Sequence, residues 1–487
     1  MPIGLNDVLA LGPEIVIVLS ACALLLVDFI VPREKKSAIG WLSILAIIGA
    51  AVASCYLARA GMAGTATGGT LVFNNMFVVD NFSFFFKSLL FIATALSILL
   101  SFKYVKAEDI KLGEYYVLML FSLSGMMVMV SGTDLLSIYL GVEMMSLPVY
   151  VLVALKRDSI KSNEGAMKYV ILGAFSSAMM LFGISLFYGL TGTTELSAMS
   201  ISLADTSANG AVIGIAIVLL VAGFGFKVAG FPFHMWAPDA YEGAPTPITA
   251  FMSVGPKAAA FAVILRIFLD GLAPLYDQWH LIFSIVAVLT LAIGNIVAIA
   301  QTNIKRMLAY SSIGHAGYVL LGVIAGGTEG MASVMFYLFV YLFMNLGIFG
   351  IIITMRGKEG LGESIWDYTG LAKKNATLAF LMLIFLFSLA GIPPTAGFIG
   401  KFYIFMSLIH QGYFALAITA VILSAVAAYF YIRIVMLMYM KEPEGEFNLM
   451  RSNAVLVVIC LAAVVCIVLG IFPGLALEVV NMSTLPL

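Results

Sequence analysis

Apolar residues run along the chain in stretches of about twenty, separated by short polar stretches that hold most of the charged residues. A bilayer core about 30 Å thick is crossed by roughly 20 apolar residues in a helix rising about 1.5 Å per residue. Cutting the chain on that rule predicts fourteen spanning segments, at about 12–31, 38–58, 78–102, 113–131, 133–155, 163–190, 211–233, 246–269, 280–300, 304–325, 330–355, 375–410, 413–440 and 452–473. The predicted fold class is therefore all-α, a polytopic membrane protein. Asp7 and Glu14 precede the first basic residue, Arg33, which is the wrong charge order for a cleavable signal peptide. The first segment is expected to remain as a spanning helix.

An even number of crossings puts both termini on one side, and the basic residues decide which. Seventeen of the 25 fall in odd-numbered loops: Arg33, Lys35, Lys36, Lys103, Lys106, Lys111, Lys156, Arg157, Lys161, Lys305, Arg306, Arg356, Lys358, Lys373, Lys374, Lys441 and Arg451. The even loops hold at most Arg59 and Arg266. The odd loops are accordingly expected in the cytoplasm and the termini outside. Six basic residues remain inside apolar segments: Lys87, Lys168, Lys227, Lys257, Lys401 and Arg433.

Composition agrees, since 62% of residues are hydrophobic and 10% charged, with a mean hydropathy of +1.08. A soluble globular chain carries about 25% charged residues, so a water-soluble enzyme is excluded. With 25 basic against 26 acidic residues, there is no excess of the kind a nucleic-acid binder needs. Cys22, Cys55, Cys460 and Cys466 lie in apolar runs without metal-binding spacing and read as packing residues.

Segment seven contains GFKVAGFPFHMWAP and segment twelve SLAGIPPTAGFIGKF. Proline removes a backbone donor and clashes with the preceding turn, so both helices are expected to break. Exposed backbone at that depth is tolerable only against protein or a hydrated cavity. The matching Ala229-Gly230-Phe231-Pro232 and Ala390-Gly391-Ile392-Pro393 are 161 residues and five segments apart. This predicts two copies of a five-helix unit, the second inverted, and paired broken helices in such repeats point to a transport site near the midplane. The expected organisation is 1–112 for segments one to three, 113–270 and 280–440 for the two repeats, and 441–487 for the last helix.

Glu143 lies ten residues into segment five and Lys257 eleven into segment eight, while Lys227 and Lys401 stand beside the two breaks. None of these lysines has a loop close enough for its stem to reach water. Insertion scales charge about 2.5–3.5 kcal/mol for each such group at a helix centre. A static Glu143–Lys227 salt bridge covers one pair and leaves Lys257 and Lys401 without a partner. Desolvation disfavours the charged form of a lysine, so a buried one can exchange protons near neutral pH. Moving a carboxylate from about 4 to 8 Å away changes the attraction by roughly 2 kcal/mol at an effective dielectric of 20. Glu143, Lys227, Lys257 and Lys401 are thus the candidate proton-transfer residues. Secondary candidates are Lys168, as an interfacial anchor or on an access route, His315, as a relay or a packing histidine, and His234, past the first break. Lys87 and Arg433 read as anchors near the membrane faces.

The stretches GVEMMSLPVYVL, EGAMKYVILGAFSSAMMLFG, GFGFKVAGFPFHMWAPDAYEGAPTPITAFMSVGPKAAAF, NIKRMLAYSSIGHAGY and AGIPPTAGFIGKFYIF resemble the antiporter-like membrane subunits of respiratory complex I, over essentially the whole chain. The fourteen segments and the lysine in segment twelve resemble the member that lacks a long lateral C-terminal helix and does not have glutamate where Lys401 stands. The resemblance implies two inverted five-helix bundles, a hydrated axis through Glu143, Lys227, Lys257 and Lys401, and a place in the bacterial inner membrane among other membrane subunits. It implies that NADH, FMN, Fe-S clusters and quinone belong to partner subunits, and this chain has neither CxxC spacing nor a strand-linked GxGxxG. Moving a charge against 200 mV costs about 4.6 kcal/mol, so isolated from its redox partners the chain is not expected to pump. The alternatives are a subunit of a multisubunit cation/proton antiporter or of a membrane-bound hydrogenase, and a membrane scaffold without transport.

Overall fold

The computed structural model describes residues 4–32, 35–59, 62, 69–110, 113–205, 210–356, 362–443 and 449–486. Arg33, Lys111 and Lys358, counted above among the loop cations, lie outside the described residues. In chain order the helices begin with α1 (Leu5–Ala10), α2 (Gly12–Ile30) and α3 (Ser37–Arg59), followed by a hairpin of β1 (Thr70–Val72) and β2 (Phe77–Val79). Next come α4 (Asn81–Ala107), α5 (Glu114–Ser131), α6 (Leu135–Val153), α7 (Ile160–Thr191), α8 (Leu196–Asp205), α9 (Gly210–Val228), α10 (Trp236–Gly243) and α11 (Thr246–Arg266). The remainder is α12 (Tyr276–Ile299), α13 (Ile304–Ala325), α14 (Gly327–Met355), α15 (Leu371–Lys374), α16 (Ala376–Ala390), α17 (Ala396–His410), α18 (Phe414–Met440), α19 (Asn453–Ile471) and α20 (Gly474–Asn481).

Among the described residues, thirteen helices are long and apolar enough to cross a membrane. The shorter α16 and α17, end to end, fill the twelfth predicted segment. The hairpin and the short helices α1, α8, α10 and α20 were not legible in the hydropathy pattern. Helix starts follow local chemistry: Asp80 accepts from Ser83 N at 2.7 Å, Asp134 from Leu136 N at 2.9 Å and Asn303 from Arg306 N at 3.1 Å, each satisfying donors left open in a first turn.

Helices α11, α13 and α14 are buried along almost their whole length, whereas α2, α3, α18 and α19 turn much of their surface outward. That outer surface is as apolar as the core, which is why an apolar run alone does not tell inside from outside. Three of the four cysteines show the consequence: Cys22, Cys55 and Cys460 are exposed on helix faces, and only Cys466 packs inside.

The two ends of the bundle differ. At one end Lys156 pairs with Glu108 at 2.6 Å, Arg356 with Glu108 at 2.5 Å and with Glu363 at 3.2 Å, and Arg306 with Asp239 and Glu242 at 2.6 and 3.0 Å. This basic end gathers residues from the odd-numbered loops and their flanks. The opposite end holds the hairpin, which bonds the 131–134 turn through Thr133 N to Met76 O, and the Glu329–His410 contact.

Two cations differ from their predicted roles. Lys87 is not a surface anchor: it is 3% exposed and paired with Glu14 of α2 at 2.7 Å, a partner 73 positions away in sequence. Arg266 is not in a loop but closes α11, buried, with Asp80 at 3.0 Å and the Val130 carbonyl at 3.2 Å. Arg433 does behave as an end anchor, donating to the Ile299 and Gln301 carbonyls at 2.8 and 2.7 Å, where it satisfies the end of α12.

The break in the twelfth segment depends on glycine at two positions. Gly391 ends α16 with φ +84°, a conformation that side chains disfavour. A Cβ on Gly397 would lie 1.8 Å from the Ser388 carbonyl oxygen. Gly397→Ala is expected to force α16 and α17 apart and to destabilise the subunit by about 1–3 kcal/mol, read as a lower thermal inactivation midpoint of the assembled complex.

Candidate functional site: a buried row of lysines

Segment seven ends its long helix at Val228, after Lys227 in the last turn of α9. Ala229 takes φ +60°, the chain turns, and α10 begins at Trp236. The freed backbone is not abandoned: Gly230 N donates to Gly225 O at 2.7 Å and Phe231 N to Thr290 Oγ1 at 2.9 Å. The indole of Trp236 stacks on Tyr169 at 4.1 Å between centroids and donates to the Phe226 carbonyl at 2.9 Å, fixing α10 beside Lys227.

Lys227, Lys257 and Lys401 are each 3–4% exposed. Lys227 Nζ donates to Ser146 Oγ at 2.8 Å, and the Ser146 hydroxyl donates in turn to Val142 O at 2.5 Å. Glu143, on the same helix and partly buried, accepts from Ser177 Oγ. The alternative of a static Glu143–Lys227 salt bridge is therefore not what forms: each of the two side chains is held by a neighbouring serine. Ser146 lies one turn from Glu143, so small adjustments of α6 or α9 change the spacing between the two charges.

Lys257 follows Pro256, which removes a backbone donor without ending α11. Its ammonium crosses to α13, donating to Ser312 Oγ at 2.5 Å and Ser312 O at 3.0 Å. Ser312 Oγ also accepts from Tyr341 OH of α14 at 2.8 Å. One turn along α13, His315 Nδ1 lies 2.5 Å from Tyr337 OH and Nε2 3.0 Å from Tyr431 OH, so both ring nitrogens are occupied by phenols. Lys401 Nζ returns to the second break, donating to Leu389 O and Ala390 O at 3.0 and 2.9 Å and to Ser424 Oγ at 3.0 Å. It stands 4.7 Å from the centroid of the Tyr318 ring. A cation at the C-terminal end of α16 meets the negative end of its dipole and the carbonyls the break leaves open.

Lys168 is separate from this row. At the basic end, half-exposed, it pairs with Asp239 and Glu164, both at 2.6 Å. Beside it a cavity of about 210 Å³ is lined by Lys161, Glu164, Gly165, Asp239, Glu242 and Arg306. Burial pushes the Asp239 carboxyl up, but hydrogen bonds from Lys168 and Arg306 outweigh it and hold the group below its ordinary value. Glu242 is lowered in the same balance, with Lys161 and Arg306 as donors. His234 is buried beyond the break, stacked on Phe231 at 5.6 Å, with Nδ1 lacking a hydrogen-bond partner. Lys257, His315 and Lys401 thus meet at α13, through Ser312, the His315 ring itself and Tyr318, while Lys227 is held by Ser146 on the helix that carries Glu143, and Lys168 lies at the basic end.

Among the described residues, no group of three or more His, Cys, Asp or Glu is arranged to hold a metal ion. The family model described as NADH:quinone oxidoreductase/Mrp antiporter, TM, matches residues 132–427, more than half the chain. NADH-quinone oxidoreductase subunit N 2 of Rhizobium meliloti (strain 1021) is 51% identical over 478 residues, 98% of this chain and 97% of that protein. The chain belongs to the NADH-quinone oxidoreductase subunit N family. Subunit N of Trichlorobacter lovleyi is 44% identical over 98% of this chain and 96% of its own length. Among solved structures, a chain of respiratory complex I from Thermus thermophilus with bound aureothin superposes with a TM-score of 0.81 at 29% identity, covering 97% of this chain and 100% of that one. The resemblance read from segments five to twelve is borne out, and the chain is a multi-pass membrane protein.

Several polar groups of the row carry no signal in the sequence. Ser146, Ser312, Tyr337, Tyr341, Ser424 and Tyr431 are hydroxyls inside apolar runs, where they look like ordinary helix filler. Lys305 counts by sequence among the loop cations, yet it is 1% exposed and donates to Glu242 O and Ala244 O, both at 2.7 Å, clamping the C-terminal end of α10. Its place next to Arg306 hid it among the cations that set orientation.

Proposed function

We propose that this chain is a proton-translocating membrane subunit of an NADH-quinone oxidoreductase, and that Glu143, Lys227, Lys257 and Lys401 transfer the protons, with Lys168, His315 and His234 secondary. The observation that supports this best is the way the three central ammonium groups are held. Among the described residues, each donates to serine hydroxyls or to carbonyls and none to a carboxylate. Lys87, deep in an apolar run like them, is instead matched by the carboxylate of Glu14. A proton carrier must rest both as ammonium and as amine, and neutral dipoles accommodate both.

The reading includes an inner-membrane location with both termini on the outer face, so that the basic end is cytoplasmic. It takes 113–270 and 280–440 as inverted five-helix repeats, preceded by 1–112 and followed by 441–487. Partner membrane subunits surround the chain, and NADH, FMN, Fe-S clusters and quinone belong to other subunits. Quinone reduction elsewhere in the complex supplies the energy, transmitted as changes in spacing along the row.

Lys227→Ala in the assembled complex tests the reading. Electron transfer is expected to continue while protons moved per electron fall, measured together in inverted membrane vesicles. An unchanged ratio would favour a scaffold without a transport role.

A further inference from the structure

We propose that Ser312 is a catalytic residue of proton transfer: the hydroxyl through which Lys257 gives up and regains its proton, toward Tyr241 on one side and Tyr341 on the other. The inference rests on the reading of the chain as a proton-translocating subunit and adds residues and a direction to it.

A serine hydroxyl offers one hydrogen and two acceptor positions. At Ser312 both acceptor positions are filled, by Lys257 Nζ at 2.5 Å and Tyr341 OH at 2.8 Å. The neighbour left for its own hydrogen is Tyr241 OH, at 3.5 Å. Lys257, Ser312, Tyr241 and Tyr341 are all buried, at 3%, 1%, 0% and 4% exposure. They come from four elements, α11, α13, α10 and α14, so Ser312 sits where the first predicted repeat meets the second. A second bond from Lys257 to the Ser312 carbonyl, at 3.0 Å, keeps the ammonium over this one residue.

The two phenols lead in different directions. Tyr241 is carried by α10, whose Asp239 and Glu242 line the cavity at the basic end. Tyr341 lies one helical turn from Tyr337, whose hydroxyl is 2.5 Å from His315 Nδ1. With the hydroxyl directed at Tyr241, the Nζ–H bond of Lys257 breaks as the proton moves to Ser312 Oγ, whose own hydrogen passes to the Tyr241 oxygen. The phenolic hydrogen of Tyr241 then leaves for water on the cavity side. Lys257 ends as an amine, serine and tyrosine are again neutral hydroxyls, and one proton has moved. When the Tyr341 hydroxyl hydrogen turns away from Ser312 and the serine hydrogen turns to the Tyr341 oxygen, the Lys257 proton moves to Ser312 Oγ, the serine hydrogen passes to Tyr341, and the phenolic hydrogen of Tyr341 leaves to a water on the side of Tyr337 and His315. The orientation of the Ser312 hydroxyl, together with that of the Tyr341 hydroxyl, thus selects the direction.

The test uses the assembled complex in inverted membrane vesicles, with NADH oxidation and proton uptake recorded together for Ser312→Ala, Ser312→Thr and Lys257→Met. Ser312→Ala is expected to slow proton transfer through this subunit on the order of 10²-fold and to lower protons per electron as far as Lys257→Met does. Ser312→Thr, which keeps the hydroxyl, is expected to retain the wild-type ratio. Should Ser312→Ala fail to assemble, the Tyr241→Phe/Tyr341→Phe double variant removes two oxygen atoms only and is expected to show the same loss. Full pumping by Ser312→Ala, or by that double variant, beside a defective Lys257→Met would overturn the role of Ser312. Full pumping by Lys257→Met would instead overturn the underlying reading.

Discussion

Replacing Lys257 by methionine leaves the subunit folded and at least as stable as before, while proton transfer through it falls on the order of 10²-fold or more. The ammonium is buried and, among the described residues, donates to Ser312 alone and has no carboxylate to leave behind. Placing such a group at a helix centre costs about 2.5–3.5 kcal/mol, so its removal relieves part of that cost. The polar atoms that remain still have each other, because Tyr341 OH continues to donate to Ser312 Oγ. Stability is read from the midpoint of thermal inactivation of NADH–quinone electron transfer, and pumping from proton uptake per electron. A midpoint that rises or holds while the proton yield falls is the expected outcome. A midpoint that drops sharply would mean that Lys257 is structural.

The same substitution at Lys87 gives the opposite pattern. Lys87→Met removes the partner of Glu14, both side chains being about 95% buried, and strands a carboxylate between α2 and α4. Breaking a buried ion pair from one side costs about 3–5 kcal/mol. The complex is expected to lose its subunit or to inactivate at a clearly lower temperature, while whatever assembles retains its proton yield. The double variant Glu14→Gln/Lys87→Met carries no stranded charge and is expected to recover most of the stability. Failure of that recovery would show that the lysine stem, not the charge pair, holds α2 against α4.

These two lysines also mark how far sequence reasoning reached. Both stand inside apolar runs, and their depth was legible, but Lys87 was read as an anchor because its partner lies in another helix. Pairing across the bundle is a tertiary fact that no local pattern encodes. Proline announced both breaks, and the spans were placed within a few residues, since a bilayer imposes length and hydropathy directly on sequence. What escaped was chemistry carried by weakly marked residues. A serine such as Ser312 is as frequent on a packing face as in a relay, and only its distance to Lys257 separates the two. Ser146 and Ser177 are a like case, since they hold Lys227 and Glu143 and neither stands out in its apolar run. Lys305 adds the converse case, a cation whose position in the sequence suggested the surface and whose contacts place it under α10.

The most direct measurement is the number of protons moved per electron by the complex reconstituted in liposomes, wild type against a variant carrying Lys227→Met, Lys257→Met and Lys401→Met together. Electron transfer with a ratio well below wild type is the predicted result, since the row then holds no group able to bind and release a proton at those three positions. A triple variant that pumps at the wild-type ratio would contradict it.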